Sequence, residues 1–391
     1  MTLLPGSLIS QLNWDSIAAR LLSLGEAPLT ARDRGFTAAL LPLLSGEVPA
    51  PFAVRRFLPL PTLSYRHGDL HTGVPGERDF GPHVDQTNYS VVVDEQVVVK
   101  WLTPPVPLPH PTPEVLAHLV EAGFNDTAPP YAALTRAVDG REELLAVVTG
   151  YLPEARDGWE WCVDEAESGD ASFASELGRL AADLHLALAT LPVTGTAGVP
   201  LPERAEAALA QALELTDGED GAWLAGAAAR MRAELAPLRA GGTDEPAAPR
   251  IRIHGDLHVG QILRWRDGHA VIDFDGNPTV SDADPCQPAA RDVAQLTTSL
   301  EHVAQVAIRR RGTDPGRAAG WAAAARAGLL AAYRARLAER HRPDLLDERL
   351  IRPFEVEQEC RELIYAARHL PRWRYAPMGV LRTWYQKENI T

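Results

Sequence analysis

Two short apolar runs, Ile251–Ile253 and Ala270–Ile272, each break off at a cluster of polar residues. Asp256 lies in the first cluster, Gln261 follows five residues on, Asp273 twelve after that, and Asp275 alternates with it. Strand-like runs fix such groups on a rigid frame, which matters because a reacting constellation tolerates little slack. The order carboxylate, amide, carboxylate, carboxylate suits phosphoryl transfer. One carboxylate receives a hydroxyl proton, and downstream oxygens hold Mg²⁺ on nucleotide phosphates.

At 391 residues the chain has room for two to three domains. A net charge of −14 and a pI of about 5.3 argue against nucleic acid as a partner, which calls for a basic patch. They are compatible with a cationic small substrate. Cys162, Cys286 and Cys360 are far apart and odd in number, so neither a disulfide framework nor a zinc pattern follows. Met1–Asp15 has no basic and apolar signal-peptide pattern, and no run of 18 apolar residues spans a membrane. A cytoplasmic protein, monomeric or weakly dimeric, is expected.

A small β-rich part leads a large helical part. Residues 1–80 are broken by Pro and Gly and read as an N-terminal cap. Residues 81–152 read as a β-rich lobe, with two strands joined by a turn at Asp94-Glu95-Gln96 and a later run, Leu144–Tyr151. From 153 to 391 the chain reads as a helical lobe, with helices over Phe173–Leu191, Glu203–Leu215, Arg291–Val306, Arg317–Arg340 and Phe354–His369. The expected class is α+β, bilobal and protein-kinase-like, with cap, small lobe and large lobe.

Of the 38 Lys and Arg residues, only Lys100 and Lys387 are lysine. Lys100 closes a Val-Val-Val run; a strand lysine facing an interlobe cleft pairs with the phosphates of ATP, and Glu114 on the following helix is its candidate partner. Asp256 is the candidate base, Gln261 and Asp273 the candidate Mg²⁺ ligands, and Asp275 a second carboxylate for metal or phosphates. His254, Asp256 and His258 also have the look of a metallohydrolase fragment, but the further His or Asp ligands such a centre needs are missing. His254 is better placed to hold the loop by hydrogen bonds. The pentapeptide His67–His71 repeats residues 254–258, yet Val74 stands where the amide should be and no Asp pair follows, so it reads as a loop. On the late helix, Gln358, Arg361, Glu362 and Tyr365 share one face and Cys360, Leu363, Ile364 and Ala367 another. The polar face is either a solvated surface or a sugar-binding one.

The motif block resembles the aminoglycoside phosphotransferase-like kinases, and within them the actinobacterial maltokinases. The shared patterns run from Asp85-Gln86-Thr87-Asn88 through the Val-Val-Val-Lys100 strand, Gly150-Tyr151-Leu152 as a hinge, Asp157-Gly158-Trp159-Glu160 and the helix bearing His185. They continue through His254–Gln261, Asp273-Phe274-Asp275-Gly276, Ala290–Ala294 and Tyr365–Trp373. The resemblance implies a bilobal kinase fold with a cap, ATP and Mg²⁺, and places Gly150 and Leu152 with Lys100 and Glu114 at the nucleotide. Two departures concern the substrate. Asp273-Phe274-Asp275-Gly276-Asn277-Pro278 replaces the maltokinase Asp-Phe-Glu-Gly-Glu-Pro, and Arg361 stands where a tyrosine is expected. The related glucosamine kinase branch fits better. It implies a small amino-sugar acceptor, phosphorylated at the 6-hydroxyl, with Glu359 or Glu362 facing its amine and His258, Arg361 and Tyr365 lining its pocket. The alternatives are maltose phosphorylated at its anomeric hydroxyl, an aminoglycoside as acceptor, and a silent kinase-like binding module.

Overall fold

Along Val97–Trp101, residues alternate between two faces with the period of two that a strand imposes, so Val99 and Trp101 go one way and Lys100 the other. The structure, a computed structural model, describes residues 14–27, 29–30, 33–63, 76–80, 88–193, 199–239, 248–277 and 284–386. The helices α1 (Trp14–Leu22) and α2 (Phe36–Leu40) precede and flank a sheet of six antiparallel strands. These are β1 (Phe52–Arg56), β2 (Glu77–Asp79), β3 (Tyr89–Val93), β4 (Val97–Pro107), β5 (Pro130–Val138) and β6 (Arg141–Gly150), in the order β1-β5-β6-β4-β3-β2. The turn between β3 and β4 falls at Asp94–Gln96, with Asp94 and Glu95 both at φ +54°. Asp139-Gly140, with φ +50° and +75°, makes the tight turn from β5 to β6. Helix α3 (Pro111–Glu121) follows β4 and is capped by His110, which accepts the Thr112 N–H at 3.4 Å.

Ile17, Leu21, Leu40 and Leu44 pack with Val91, Val97, Val99, Trp101, Leu134 and Val148 in one buried core. Two buried charges tie the helices to the sheet. Arg136 of β5 donates to the carbonyls of Leu21 (2.8 Å) and Leu22 (2.7 Å) at the end of α1 and pairs with Glu143 at 2.9 Å. Glu77 of β2 accepts the N–H groups of Gly35 and Ala38. Helices α1 and α2 and strand β1 thus join the sheet and its core, and the chain divides into two compact units after Ala155. The Pro- and Gly-rich composition of the first 80 residues hid this, because β1 finds its partner, β5, far along the chain. His67–His71 and Asp85–Thr87 lie outside the described residues.

The second unit is built on helices α4 (Gly158–Ser168), α5 (Ala174–Leu188), α6 (Leu201–Leu215) and α7 (Gly218–Glu234). The strands β7 (Arg250–Arg252), β8 (Ile262–Trp265), β9 (Gly268–Val271) and β10 (Cys286–Pro288) come next. Helices α8 (Ala290–Val306), α9 (Pro315–Glu339), α10 (Ile351–Arg368) and α11 (Tyr375–Gln386) complete it. β7 pairs with β10 and β8 with β9, both antiparallel. No helix among the described residues is long and apolar enough to cross a membrane. The late helix, α10, buries more than its apolar face. Glu355, Glu357, Gln358 and Glu359 are buried too. Each buried acid has its own partner: Arg326 and Thr297 for Glu355, Arg291 and Arg361 for Glu357, His302 for Glu359.

Arg136→Ala should cost about 2–4 kcal/mol of unfolding free energy, because two helix-end carbonyls and Glu143 lose a buried partner. Chemical denaturation read by tryptophan fluorescence measures this; a wild-type midpoint would remove the anchoring role.

Candidate active site

The pairing of β7 with β10 brings the loop after β7 against the N-terminus of α8, which directly follows β10. Asp292 of α8, wholly buried, accepts the backbone N–H of His254 at 2.7 Å and that of Gly255 at 2.9 Å. Gly255 sits at φ +85°, a turn that L side chains rarely adopt. Behind Asp292, His185 Nε2 donates at 3.1 Å while its Nδ1 accepts from the Tyr333 hydroxyl at 2.6 Å. Burial drives the Asp292 carboxyl up, but the His185 N–H, the nearby His254 ring and the Gly255 amide outweigh it and hold the group below the usual carboxylate range. His254 Nε2–H donates to the Ile272 carbonyl at 3.0 Å, which leaves Nδ1 to accept the Asp256 N–H at 3.3 Å. As expected from the sequence, His254 is a brace, and it joins the loop to the segment after β9.

Asp256 Oδ1 accepts from Gln295 Nε2 at 2.7 Å and from Asn277 Nδ2 at 3.2 Å. Its Oδ2 lies 3.7 Å from His258 Nε2, whose ring is oriented by the Gly260 N–H on Nδ1 at 3.0 Å. Val259 N–H donates to Ser299 Oγ at 3.1 Å. Asp292, Gln295, Ser299 and His302 recur at i, i+3, i+7 and i+10, one stripe of α8.

Ile262 pairs with Val271, and Ile272 N–H donates to the Gln261 carbonyl at 2.9 Å, so Gln261 and Asp273 flank the open end of the β8–β9 hairpin. Asp273 is exposed at φ +66°, a strained conformation for a residue other than glycine. Phe274 anchors the turn in the core, its ring 5.1 Å from that of His254. Asp275 is half-buried. Among the described residues no three His, Cys, Asp or Glu side chains form a metal cage. The candidate ligands are one amide and two carboxylates. An oxygen-only set of that size fits Mg²⁺, which keeps water and phosphate oxygens in its remaining positions.

The residues expected to line a substrate pocket separate. His258 lies against Trp159 (ring centroids 5.7 Å) and Trp159 meets Trp373 edge-on at 5.7 Å. Trp373 Nε1–H donates to Glu362 Oε2 at 2.8 Å and Gln358 donates to Glu362 Oε1 at 3.0 Å. His258 and Glu362 are therefore joined through two tryptophans that sequence reasoning gave no role. Arg361 instead turns to Glu357 at 2.6 Å, a carboxylate shared with Arg291, and Tyr365 stands exposed beside His369. Glu359 is wholly buried against His302 at 3.0 Å. Gly260 admits no side chain, since a Cβ would lie 2.5 Å from Trp159 Nε1.

In the N-terminal unit, Lys100 on β4 is in register with Ser90 and Val147, half-buried. Glu114 is exposed in the first turn of α3 and makes no ion pair among the described residues, so the expected Lys100–Glu114 pair is not formed. Gly150 ends β6 with its N–H on the Pro129 carbonyl (2.8 Å), and a Cβ there would lie 2.9 Å from Pro129 Cδ. Leu152 is buried.

Burial lowers the His302 pKa, but Glu359, with Glu362 and Glu301 behind it, carries it up to about 9. A folded value above the free value of about 6.5 stabilises the fold fully below that pH and loses the contribution as pH rises through about 9. The unfolding midpoint should fall between pH 7 and pH 9.5 in wild type and fall less in His302→Gln, as measured by thermal unfolding across pH. Equal slopes would exclude the pair as the cause.

A family model described as the phosphotransferase enzyme family matches residues 84–277. Over 326 residues the chain is 41% identical to a glucosamine kinase of Streptacidiphilus jiangxiensis, spanning 78% of this chain and 72% of that one. Over 311 residues it is 38% identical to a glucosamine kinase of Mycolicibacterium smegmatis, spanning 76% and 77%. Among solved structures it is similar to a glucosamine kinase in complex with glucosamine, ADP and inorganic phosphate, with 35% identity, a TM-score of 0.72, and coverage of 90% of this chain and 83% of that one. With an antiparallel β lobe, a helical unit carrying the His254–Gln261 loop, and relatives at this level of identity, the chain belongs to the phosphotransferase enzyme family.

Proposed function

We propose that this chain is an ATP-dependent kinase that phosphorylates glucosamine on its 6-hydroxyl. The observation that carries the substrate is Glu362. This acid of α10 is half-buried, oriented by Trp373 and Gln358, and linked through Trp159 and His258 to the Asp256 loop. A carboxylate fixed in that way favours a cationic amine over a neutral hydroxyl. Glu359 is set aside for this role because it is buried and already paired with His302. Arg361 is set aside because both of its contacts go to Glu357. Tyr365, exposed on α10, is left at the rim.

Asp256 accepts the proton of the attacking hydroxyl and orients it. His258, whose Nε2 lies beside Asp256 Oδ2, is proposed to line the sugar pocket. Lys100 is the proposed partner of the non-transferring phosphates, and Gly150 and Leu152 are proposed to border the nucleotide. Gln261, Asp273 and Asp275 are the oxygens for Mg²⁺, which when bound neutralises charge developing on the phosphates. The proposal includes a cytoplasmic location, which fits three free, buried cysteines, and a monomer or weak dimer acting on a small molecule.

ADP release with ATP and Mg²⁺ should be fast with glucosamine and slow with N-acetylglucosamine, glucose, maltose and kanamycin; preference for maltose would return the chain to the maltokinase reading. Asp256→Asn should lower kcat about 10²–10⁴-fold while ATP binding, followed by calorimetry, persists. Normal turnover in this variant would remove Asp256 as the base. Glu362→Gln should raise KM for glucosamine about 10- to 100-fold, the worth of one charged hydrogen bond, and leave glucose nearly unchanged. A parallel loss for both sugars would mean that Glu362 does not read the amine.

A further inference from the structure

We infer that Gln295 and Asn277 are positioning residues that select which oxygen of Asp256 receives the substrate proton. The inference rests on the assignment of Asp256 as the base and adds to it two residues that carry no assigned role.

A carboxylate offers two equivalent oxygens, and the torsion that exchanges them is soft and two-fold. Here they are not equivalent. Oδ1 takes an amide N–H from Gln295 at 2.7 Å and a second from Asn277 at 3.2 Å. Oδ2 has only the His258 Nε2 at 3.7 Å, beyond hydrogen-bond distance. Oδ1 has its acceptor directions taken, so the sugar hydroxyl docks on Oδ2. In the transfer, the hydroxyl oxygen forms a bond to the γ-phosphorus of ATP and the bond from that phosphorus to the β,γ-bridging oxygen breaks. ADP leaves, and the hydroxyl proton passes to Oδ2.

The clamp is built with the same parts that hold the loop. Gln295 is 5% exposed and stands on α8 between Asp292, which binds the His254 and Gly255 amides, and Ser299, which binds the Val259 amide. One rigid helix therefore sets both the backbone of the loop and the rotation of its carboxylate. Asn277 comes from the other side, two residues beyond Asp275, and so ties the base to the segment that carries the candidate metal ligands. Both donors are neutral amides. A lysine or arginine in their place would hold the carboxylate more firmly as an anion and make it a weaker base.

The test is steady-state kinetics with glucosamine and ATP on Gln295→Met, Gln295→Glu and Asn277→Ala, beside thermal unfolding of each. Gln295→Met keeps the shape and removes the donor; kcat should fall about 10- to 100-fold, the scale of a small misplacement of reacting groups. Both KM values should stay within about twofold. Gln295→Glu, which puts an acceptor against Oδ1, should lose more. Asn277→Ala should show the same kcat loss on a residue outside the helix core, and it serves as the readout if the Gln295 variants do not fold. Placing Gln295→Met on Asp256→Asn should cost nothing further, because no base remains to orient. Wild-type kcat in both Gln295→Met and Asn277→Ala overturns the clamp while leaving Asp256 as the base. Wild-type kcat in Asp256→Asn overturns the base itself. A fall in kcat that tracks KM and unfolding temperature would show packing, not positioning, and overturns the clamp as well.

Discussion

A carboxylate with no exposure to solvent is costly unless its oxygens are filled, and Asp292 fills them with the loop it organises. Two backbone N–H groups, those of His254 and Gly255, end on it, and His185 closes it from behind with Tyr333 as support. Everything downstream depends on this arrangement. It sets the turn at Gly255, which sets the direction of Asp256, and the His254 ring then reaches Ile272 and fixes the approach to Asp273. The low dielectric that makes such a group costly when unpaired also makes the paired network stiff.

Helix α8 works as a ruler. Its stripe of Asp292, Gln295, Ser299 and His302 touches, in order, the loop backbone, the Asp256 carboxylate, the Val259 amide and Glu359 of α10. The spacing along the loop is thus copied from helical geometry. Helix α10 adds a second rule, by which the partner decides the fate of each acid. Glu355, Glu357 and Glu359 are buried and hydrogen-bonded to arginines, a hydroxyl or a histidine, so they are committed to packing. Glu362, held by the neutral donors of Trp373 and Gln358, keeps a carboxylate whose charge is not already neutralised in an ion pair.

The N-terminal unit follows a simpler rule. Strand alternation sends Val97, Val99 and Trp101 into the core with α1 and α2 and leaves Lys100 on the other face. The early helices stay attached because Arg136 and Glu77 satisfy the helix ends that would otherwise be left bare.

The sequence by itself determined the local features. The Asp94–Gln96 turn, the β4 alternation, the helices on either side of the motif block, and the spacing of Asp256, Gln261, Asp273 and Asp275 follow from short-range periodicity and turn chemistry, and these were legible. So was the bracing role of His254, since a loop histidine beside a backbone turn has few other uses. Helix α4 went unread, and the sharing of one sheet by β1 and the later strands went unread because β1 finds its partner, β5, far along the chain. Which polar residues serve the site was decided only by the tertiary structure. Gln295 looks like an ordinary polar position of a helix, and Asp292 like one residue of a shared pattern, until β7 and β10 bring them under the loop. Glu359 and Glu362 have the same composition and the same helix, and are distinguished by a histidine and a tryptophan from elsewhere in the chain. Periodicity records which face a side chain is on; what meets that face is set by packing between segments distant in sequence.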